Sequence, residues 1–448
     1  MTLRTILLST ACAVLLSACA SSPPATSRPI DTDLAVATFD SVWSIIHRNH
    51  FDPDFEGVDW DGVREELRPR AQEVTTNGEL RRLLNDMIGR IGLSHFGIIE
   101  SSAIDAFDVD DDPVSGGSAD VGLSLRLVDG DALVWRVRED SPAARAGIGT
   151  GWILAEVDER DVADRIETAR EVVDTHQLDI LIAQATETWL GGADGSTVEV
   201  VLVDGDGTEH AFTLERETPP GVMNRLGNLP AIRTDVQRSL ERIDGHEVGV
   251  IGFNIWLMPA AAPFDRAVDD FRDADGMVID LRGNPGGVGA MAMGLAGHFL
   301  DERLSLGTMK TRTTSLEFRA NPRRANPDGE RVEPFDGPLV ILVDGLSMST
   351  SEIFARGMQV IGRAHVIGQP TPGAALPSLI TRLPNGDGLQ YAFADFVDPE
   401  GVRLEKNGVP PDEVVPLRRD DLLAGRDAPL QAALDWIASR PTTDGARR

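Results

Sequence analysis

Two apolar strand patterns, each followed at once by a turn and a helix, constrain the fold of this chain more than any other feature. Residues 277–281 lead into the turn RGNPGG, and residues 339–343 lead into LSMSTSE. Strands that are apolar along their whole length are typical of sheets covered by helices on both faces. With further strands expected at residues 247–253 and 365–368, residues 225–440 predict an α/β core.

The chain has 448 residues, too many for one ordinary core, and two more regions are expected before the α/β core. Residues 33–105 carry apolar side chains at helical spacing, which predicts an N-terminal helical region with the segment Asp59-Trp60-Asp61 capping its middle helix. Residues 118–216 are rich in strand patterns and turns. These three regions together predict a multidomain α/β protein.

The strand-rich region resembles a PDZ domain of the bacterial protease type in its segments SPAARAGI and GWILAEVD. The resemblance implies an inserted β domain with a loop whose backbone N–H groups bind the carboxylate of a peptide. The alternative is a small β module that only supports the α/β core structurally and binds no peptide. The residues of this predicted loop are Gly122, Leu123, Ser124 and Leu125.

The N-terminus predicts a targeting segment rather than a folded element. Residues 1–18 hold Arg4 and then an apolar run too short to span a membrane, which is typical of a signal peptide. The sequence LSAC resembles a bacterial lipobox, which implies lipidation of Cys19 and a Ser/Pro-rich tether through residues 19–32. Ordinary secretion is the alternative. We therefore expect an extracytoplasmic or periplasmic protein of the cell envelope, held at a membrane by lipid.

Charge and cysteine content exclude several functions for the body of the chain. With 72 acidic and 42 basic residues, the formal net charge of −30 repels phosphate backbones, so nucleic acid is not an expected partner. Both cysteines, Cys12 and Cys19, precede the predicted domains, which leaves no Cys nucleophile, disulfide or Cys metal site there. Neither an HExxH motif nor a phosphate-binding loop occurs, and we expect no metal and no cofactor.

The two strand-to-helix turns carry the candidate chemistry. Ser349 lies at a sharp turn before a predicted helix, where its side chain is expected to be exposed beside free N–H groups. This is the arrangement of a nucleophile elbow, although the usual G-x-S-x-G motif is absent. A Ser in this position is more often a plain N-cap. In the other turn, Gly286 and Gly287 let backbone N–H groups approach a bound group closely, or they form only a tight turn.

The segments MVIDLRGNPGG, PLVILVDGLSMSTSEIF, GRAHVIGQPTPGA and LEKNGVPPDEVVPL together closely resemble the S41 family of serine peptidases. With the helical region and the PDZ-like insert, the resemblance covers nearly the whole mature chain. It implies a crotonase/ClpP-like α/β core and hydrolysis of extended or misfolded polypeptides. In the S-x-S-x-S-E pattern the middle Ser is the nucleophile, so Ser349 takes that role and Ser347 and Ser351 support it.

Two branches of this family differ in the group that activates the nucleophile. The processing-protease branch uses a Lys in a G-x-x-T-x-G-K segment, and here residues 368–374 read GQPTPGA, with Ala374 at the Lys position. The only lysines, Lys310 and Lys406, lie in no matching motif. A Ser–Lys mechanism is therefore not expected.

The tricorn-like branch uses His and Glu, with a second Ser beside the His, and both of its segments are present as GLSHFG and EKNGVPPD. The resemblance implies His95 as general base and Glu405 as the acid that orients it, through or beside Ser94. The rival base is His298, and the rival acid is Glu400.

The oxyanion of the reaction is expected to bind to the backbone N–H groups of Thr350 and of either Gly286 or Gly287. The sequence leaves the choice between these glycines open. Two other functions also remain open. One is a catalytically inactive S41-fold binding protein or PDZ-based adaptor, suggested by the absent Lys; the other is hydrolysis of a different ester or amide.

Overall fold

The computed structural model of the chain describes residues 28–100, 119–170, 178–180, 182–183, 189–224 and 232–440. The predicted signal peptide and Cys19 lie outside the described residues. Within the described ranges, no helix has the length and apolar character needed to cross a membrane. Helices and several separate sheets alternate along the chain, which confirms the mixed α/β architecture.

The N-terminal region consists of helices around an apolar cluster that also includes Leu383, Leu389 and Tyr391 of the core region. The predicted cap is confirmed, because the Asp59 carboxylate accepts a hydrogen bond from the Gly62 N–H at 2.9 Å. Thr76 and Glu79 form a capping box at the start of the next helix. The elements are α1 (Thr32–Asn49), α2 (Trp60–Ala71), α3 (Asn77–Gly89) and β1 (Gly97–Ile99).

The PDZ-like region contains one antiparallel sheet around a separate core. Its elements are β2 (Leu123–Val128), β3 (Asp131–Val137), α4 (Pro142–Arg145), β4 (Ile153–Val157), β5 (Arg160–Asp161), α5 (Val162–Arg170), β6 (Thr197–Val203) and β7 (Glu209–Glu215). The sheet has the order β2-β3-β4-β6-β7, with β5 paired to β4.

The predicted carboxylate-binding loop differs from the sequence-based expectation. Only Gly122 precedes strand β2, whereas Leu123, Ser124 and Leu125 lie within it. The reason is the alternation of this segment, because Leu123 and Leu125 are buried in the core of the region and Ser124 between them is not.

The remaining elements form the α/β core and its short flanking sheets. They are β8 (Val222–Asn224), β9 (Ile232–Thr234), β10 (Val236–Ile243), β11 (His246–Phe253), α6 (Ala261–Asp270), β12 (Gly276–Asp280), α7 (Ala290–Ala296), β13 (Leu304–Lys310), β14 (Ser315–Ala320), β15 (Leu339–Val343), α8 (Thr350–Val360), β16 (His365–Gly368), β17 (Ser378–Arg382), β18 (Gly388–Ala392), β19 (Asp395–Val397), β20 (Glu413–Val414), α9 (Arg419–Leu423) and α10 (Ala428–Ala438).

A six-stranded sheet organises this core in the order β10-β11-β12-β15-β16-β20. All its pairings are parallel except that of β10 with β11. Every residue of β12 and β15 is buried, as the apolar sequence of β15 predicted, and β12 also buries the charged Asp280 at its end. Phe264 of α6 and Phe354 of α8 pack in the cluster on one face of the sheet, and Leu434 of α10 packs in the cluster on the other. Consecutive parallel strands bring their carboxyl ends, and the two turns that follow them, to the same edge of the sheet.

The helical region is attached to the core at several places, and two of them hold α3 and β1. Strand β1 pairs antiparallel with β18, with Gly97 opposite Gln390. The buried Arg81 guanidinium donates hydrogen bonds of 2.9 and 2.8 Å to the two carboxylate oxygens of Asp387. Since α3 and β1 are both held in this way, the loop between them is fixed against the core.

Candidate active site

Ser349 occupies the sharp turn between β15 and α8, as predicted. Its backbone has φ 56° and ψ −115°, a conformation that is costly for any residue with a side chain. The Ser349 N–H lies 2.8 Å from the Ala374 carbonyl oxygen and 3.0 Å from Glu352 Oε2, and it donates to both. The surrounding structure thus holds Ser349 in a strained conformation that presents its side chain ahead of the helix.

The Gly-rich turn after β12 packs directly against this elbow. A Cβ atom on Gly286 would lie 2.6 Å from the Cβ of Ser349 and 2.9 Å from the Thr350 nitrogen, so no side chain fits there. Gly287 has φ 141°, and a Cβ on it would lie 2.4 Å from the Trp256 carbonyl oxygen. The two glycines are therefore required by close approach of the backbone.

The two glycines differ in how their N–H groups are used. The Gly286 N–H donates to Asn284 Oδ1 at 3.0 Å. Among the hydrogen bonds of the described residues, none uses the N–H of Gly287 or of Thr350. Thr350 begins α8, so its N–H has no acceptor within the helix. Two free N–H groups therefore lie in the two adjoining turns.

Two of the serines in the S-x-S-x-S-E pattern hold these turns together. The Ser347 hydroxyl donates to the Leu281 carbonyl at 2.7 Å, and the Ser351 hydroxyl donates to the Asn284 carbonyl at 3.0 Å. Ser351 Oγ also accepts from Trp256 Nε1 at 2.8 Å. Both side chains are fully buried, which fits the supporting role implied by the resemblance.

Ser94 joins His95 to Glu405 in the loop between α3 and β1. Its N–H donates to Glu405 Oε1 at 2.7 Å, and its hydroxyl donates to Glu405 Oε2 at 2.8 Å. The same hydroxyl oxygen lies 2.8 Å from His95 Nδ1. Because this hydroxyl gives its proton to the carboxylate, it accepts from Nδ1–H, which leaves Nε2 of a neutral ring unprotonated. The connection between the acid and the imidazole runs through Ser94 rather than beside it.

Burial shifts the pKa values at both ends of this connection. It lowers the pKa of His95 to about 4, because the surroundings disfavour the imidazolium. It also raises the pKa of Glu405, although hydrogen bonds from Ser94 and Ala375 act in the opposite direction. The imidazole is therefore neutral, and able to accept a proton, across most of the pH range.

One peptide group links this connection to the nucleophile turn. The carbonyl of Ala374 accepts from the Ser349 N–H at 2.8 Å, and the N–H of Ala375 donates to Glu405 Oε2 at 3.3 Å. Ser349 and Glu405 thus form hydrogen bonds with the two polar groups of the same peptide bond, the one between Ala374 and Ala375. Within the described part of the chain, no hydrogen bond joins the Ser349 hydroxyl to the His95 ring.

The rival residues lie in other surroundings. His298 is 2% exposed and bonds through Nε2 to Asp265 at 2.8 Å inside the apolar core. Glu400 is exposed, and its nearest basic partner is Arg356 at 4.0 Å. Lys310 and Lys406 are both exposed, although the Lys406 N–H donates to the Gly373 carbonyl at 2.8 Å.

Glu352 is a site residue to which the sequence analysis assigned no role. It is fully buried, and burial raises its pKa to about 7. Its carboxylate accepts hydrogen bonds from Ser349 and from the loop at residues 371–374. The signal was present in the final letter of the S-x-S-x-S-E pattern.

The region predicted to be PDZ-like contacts the core beside the two strand-to-helix turns. Arg126 of β2 donates to the Asp344 carboxylate at 3.0 Å, and Arg136 of β3 donates to the Asp280 carboxylate at 2.9 Å. The Gly122 N–H in this region donates to Asp120 Oδ1 at 2.8 Å. Peptide binding by residues 122–125 stays a prediction.

Comparison with known proteins agrees with the family resemblance and with the fold. The model of peptidase family S41 matches residues 247–415, and the model of the tricorn protease C1 domain matches residues 37–89. The chain is 26% identical over 408 residues to a carboxyl-terminal-processing protease of Picosynechococcus sp., covering 88% of this chain and 87% of that protein. A carboxyl-terminal-processing protease of Synechocystis sp. is 25% identical over 409 residues, covering 88% of this chain and 85% of that protein. The solved photosystem II D1 C-terminal processing protease, 20% identical, shares the fold with a TM-score of 0.56, covering 88% of this chain and 98% of that chain.

Proposed function

Because this chain belongs to peptidase family S41 and is a serine peptidase, we propose that it cleaves peptide bonds with Ser349 as nucleophile, His95 as general base and Glu405 as orienting acid. The observation that carries the proposal is the hydrogen-bonded connection from Glu405 through Ser94 to His95 Nδ1. It supplies a neutral base, whereas the family's Lys position holds Ala374.

In the proposed mechanism, Ser349 Oγ attacks the carbonyl carbon of the scissile bond while His95 Nε2 takes the hydroxyl proton. The imidazolium then gives this proton to the amine as the C–N bond breaks and an acyl-enzyme remains. A water molecule, activated by the same base, hydrolyses that ester. Glu405 and Ser94 favour the imidazolium and fix the tautomer, since their hydrogen bonds hold the proton on Nδ1.

The oxyanion is assigned to the N–H groups of Gly287 and Thr350. Both are free among the hydrogen bonds of the described residues, whereas the Gly286 N–H already donates to Asn284. Two preorganised donors in a partly buried turn stabilise the charge that develops on the carbonyl oxygen.

Substrate binding is expected to shorten the gap between Ser349 and His95. Catalytic hydrogen bonds are often long in a free enzyme and tighten only when substrate is bound.

The proposed substrates are extended or misfolded polypeptides, cleaved toward their carboxyl end as the relatives' names suggest for those proteins. The PDZ-like region is proposed to bind the free carboxyl end at Gly122 to Leu125. Its contacts with Asp344 and Asp280 keep that region next to both catalytic turns.

The proposed location is the extracytoplasmic face of a bacterial membrane, with lipid on Cys19 as the anchor. The apolar run and the lipobox-like LSAC support this proposal. Metabolic labelling with a fatty-acid analogue, with Cys19→Ala as the variant, tests it; equal labelling of both forms would contradict it.

A fluorophosphonate probe tests the catalytic set. The protein beginning at Ala20 is labelled, digested and mapped by mass spectrometry, with His95→Ala and His298→Asn as paired variants. We expect an adduct on Ser349 that is lost with His95→Ala and kept with His298→Asn. A folded protein without any adduct would overturn the proposal, and tight binding of carboxyl-terminal peptides would then indicate a non-catalytic binder.

A further inference from the structure

We propose that Glu352 is a positioning residue of this peptidase, whose ionised carboxylate clamps the strained Ser349 backbone to the loop at residues 371–374. The inference rests on the proposed role of Ser349 as nucleophile. It concerns a carboxylate that contacts neither substrate nor the reacting atoms and acts through the backbone of the proposed nucleophile, with which Glu352 forms a capping box.

The carboxylate of Glu352 receives four hydrogen bonds, two on each oxygen. Oε1 accepts from the Thr371 hydroxyl at 2.5 Å and from the Gly373 N–H at 2.7 Å. Oε2 accepts from the N–H groups of Ser349 and Ala374, both at 3.0 Å. A carboxylate offers about four lone-pair sites, so the ionised form is fully satisfied.

This set of neighbours favours the ionised form over the acid. All four groups donate, and the Thr371 oxygen already accepts from the Val409 N–H at 2.8 Å. A protonated Glu352 would turn one oxygen into a donor that faces donors, so at least one of the four bonds would break. Within the described residues, no ion pair involves Glu352, and only neutral groups compensate its charge.

The clamp connects the nucleophile with the orienting acid. The Ser349 N–H donates to both the Glu352 carboxylate and the Ala374 carbonyl. The residue after Ala374 is Ala375, and its N–H donates to the Glu405 carboxylate. When Glu352 loses its bonds, the φ and ψ of Ser349 are free to relax from a costly region, and the loop that carries Ala374 shifts with them. The expected consequence is a slower reaction with substrate affinity little changed.

Burial makes this clamp sensitive to pH near neutrality, because it raises the pKa of Glu352 to about 7. The base is separate, since burial lowers the pKa of His95 to about 4. On α8 itself, Arg356 pairs with Asp398, and on the neighbouring strand β16, His365 lies 3.6 Å from Asp412. Further titratable groups are Lys310 at the end of β13, and Glu405 and Lys406 in the segment that contacts the loop at residues 371–374.

The change of protein stability with pH distinguishes a positioning role of Glu352 from a merely structural one. The pKa of Glu352 is raised on folding, so protonation favours the folded state. As pH falls from about 7 to the ordinary carboxyl value of 4.5, the contribution of Glu352 to stability increases while the reaction slows. Loss of activity through local unfolding would instead lower both together.

The test measures kcat, KM and the fluorophosphonate labelling rate from pH 5 to pH 9 for the full mature chain, Glu352→Gln and the control Glu400→Gln. For the unmodified enzyme we expect kcat to fall about tenfold per pH unit below about pH 7. Glu352→Gln should lower kcat about tenfold or more, change KM less than about threefold, and abolish this dependence. Glu400→Gln, at an exposed position, should match the unmodified enzyme.

Two results would overturn the inference: full kcat in Glu352→Gln, or an acid limb near pH 7 that persists in it. If Glu352→Gln does not fold, Thr371→Val replaces it. Loss of the Thr371 hydroxyl donor should move the acid limb of the kcat–pH profile to higher pH, and Thr371→Ser should return the limb to its original pH. An acid limb that does not move in Thr371→Val would contradict the proposed role of Glu352. An unmodified enzyme that is never labelled refutes the proposed function, whereas a labelled enzyme without a limb near pH 7 refutes only this inference.

Discussion

His95 and His298 are both linked to an acidic side chain, yet their surroundings differ. His298 bonds directly to Asp265, is 2% exposed, and packs between aromatic rings of the apolar core. His95 lies in a partly exposed loop, and Ser94 connects it to Glu405. A direct bond to an acid therefore does not by itself identify a catalytic base, and the proposal for His95 rests instead on its access and its link to the Ser349 turn.

The physical reason is that the two pairs satisfy different requirements. A buried imidazole in an apolar core needs a hydrogen-bond partner whatever its function, and Asp265 also pairs with Arg323 as part of this internal network. The Glu405 carboxylate instead holds one side of the peptide bond between Ala374 and Ala375, whose other side holds Ser349. In the proposed mechanism, only the second arrangement is connected to the Ser349 turn.

The largest expected effect comes from Ser349→Ala. Removing the proposed nucleophile should lower kcat/KM by at least about 10⁴-fold, whereas stability should fall by no more than about 2 kcal/mol, the cost of a lost helix cap. Steady-state cleavage of a fluorogenic peptide measures this effect. The control is Ser239→Ala on the exposed strand β10, and activity retained by Ser349→Ala would remove the basis of the comparison.

Paired substitution of the two histidines tests the comparison directly. His95→Ala should lower kcat by about 10³-fold or more and leave Tm nearly unchanged. His298→Asn should keep kcat within about threefold while lowering stability by about 1–3 kcal/mol, because it disrupts a buried polar pair. Kinetics and thermal denaturation of both variants measure this; the reverse pattern would make His298 the base.

Glu405→Gln should produce a smaller loss than His95→Ala. The amide accepts through one oxygen only, so Ser94 loses one of its two bonds to this side chain and the imidazole tautomer is less well held. We expect kcat to fall about 10²-fold. Glu400→Gln, which makes the same change at an exposed position, should be silent, and an equal loss in both variants would contradict the role of Glu405.

The smallest effect concerns stability in acid. Burial lowers the pKa of His298 in the folded protein. Below the ordinary value of 6.5, the unfolded chain therefore binds more protons at this residue than the folded chain does. As a result, the free energy of unfolding decreases as the pH decreases. His298→Asn should therefore lose less stability between pH 6.5 and pH 5 than the unmodified protein does. Urea denaturation at several pH values measures the slopes, and equal slopes would show that His298 does not titrate differently on folding.

The local elements were predictable because their signals lie within a few residues. The strand at residues 339–343, the elbow at Ser349 and the Asp59 cap were predicted at the positions where the structure has them. The segment at residues 123–125 was expected as a loop and is a strand. Its Leu–Ser–Leu alternation is a strand signal that the resemblance to a carboxylate-binding loop obscured.

The α/β class, the sharp turn at Ser349 and, through family motifs, the candidates His95 and Glu405 could be predicted from the residue pattern. Only the folded chain reveals that Ser94 connects Glu405 to the imidazole, that Asn284 occupies the N–H of Gly286, and that four donors surround Glu352. Strand, turn and cap propensities depend on neighbouring residues. The bond between Ser94 and Glu405 joins residues 311 positions apart, so only packing of the folded chain brings such partners within hydrogen-bond distance.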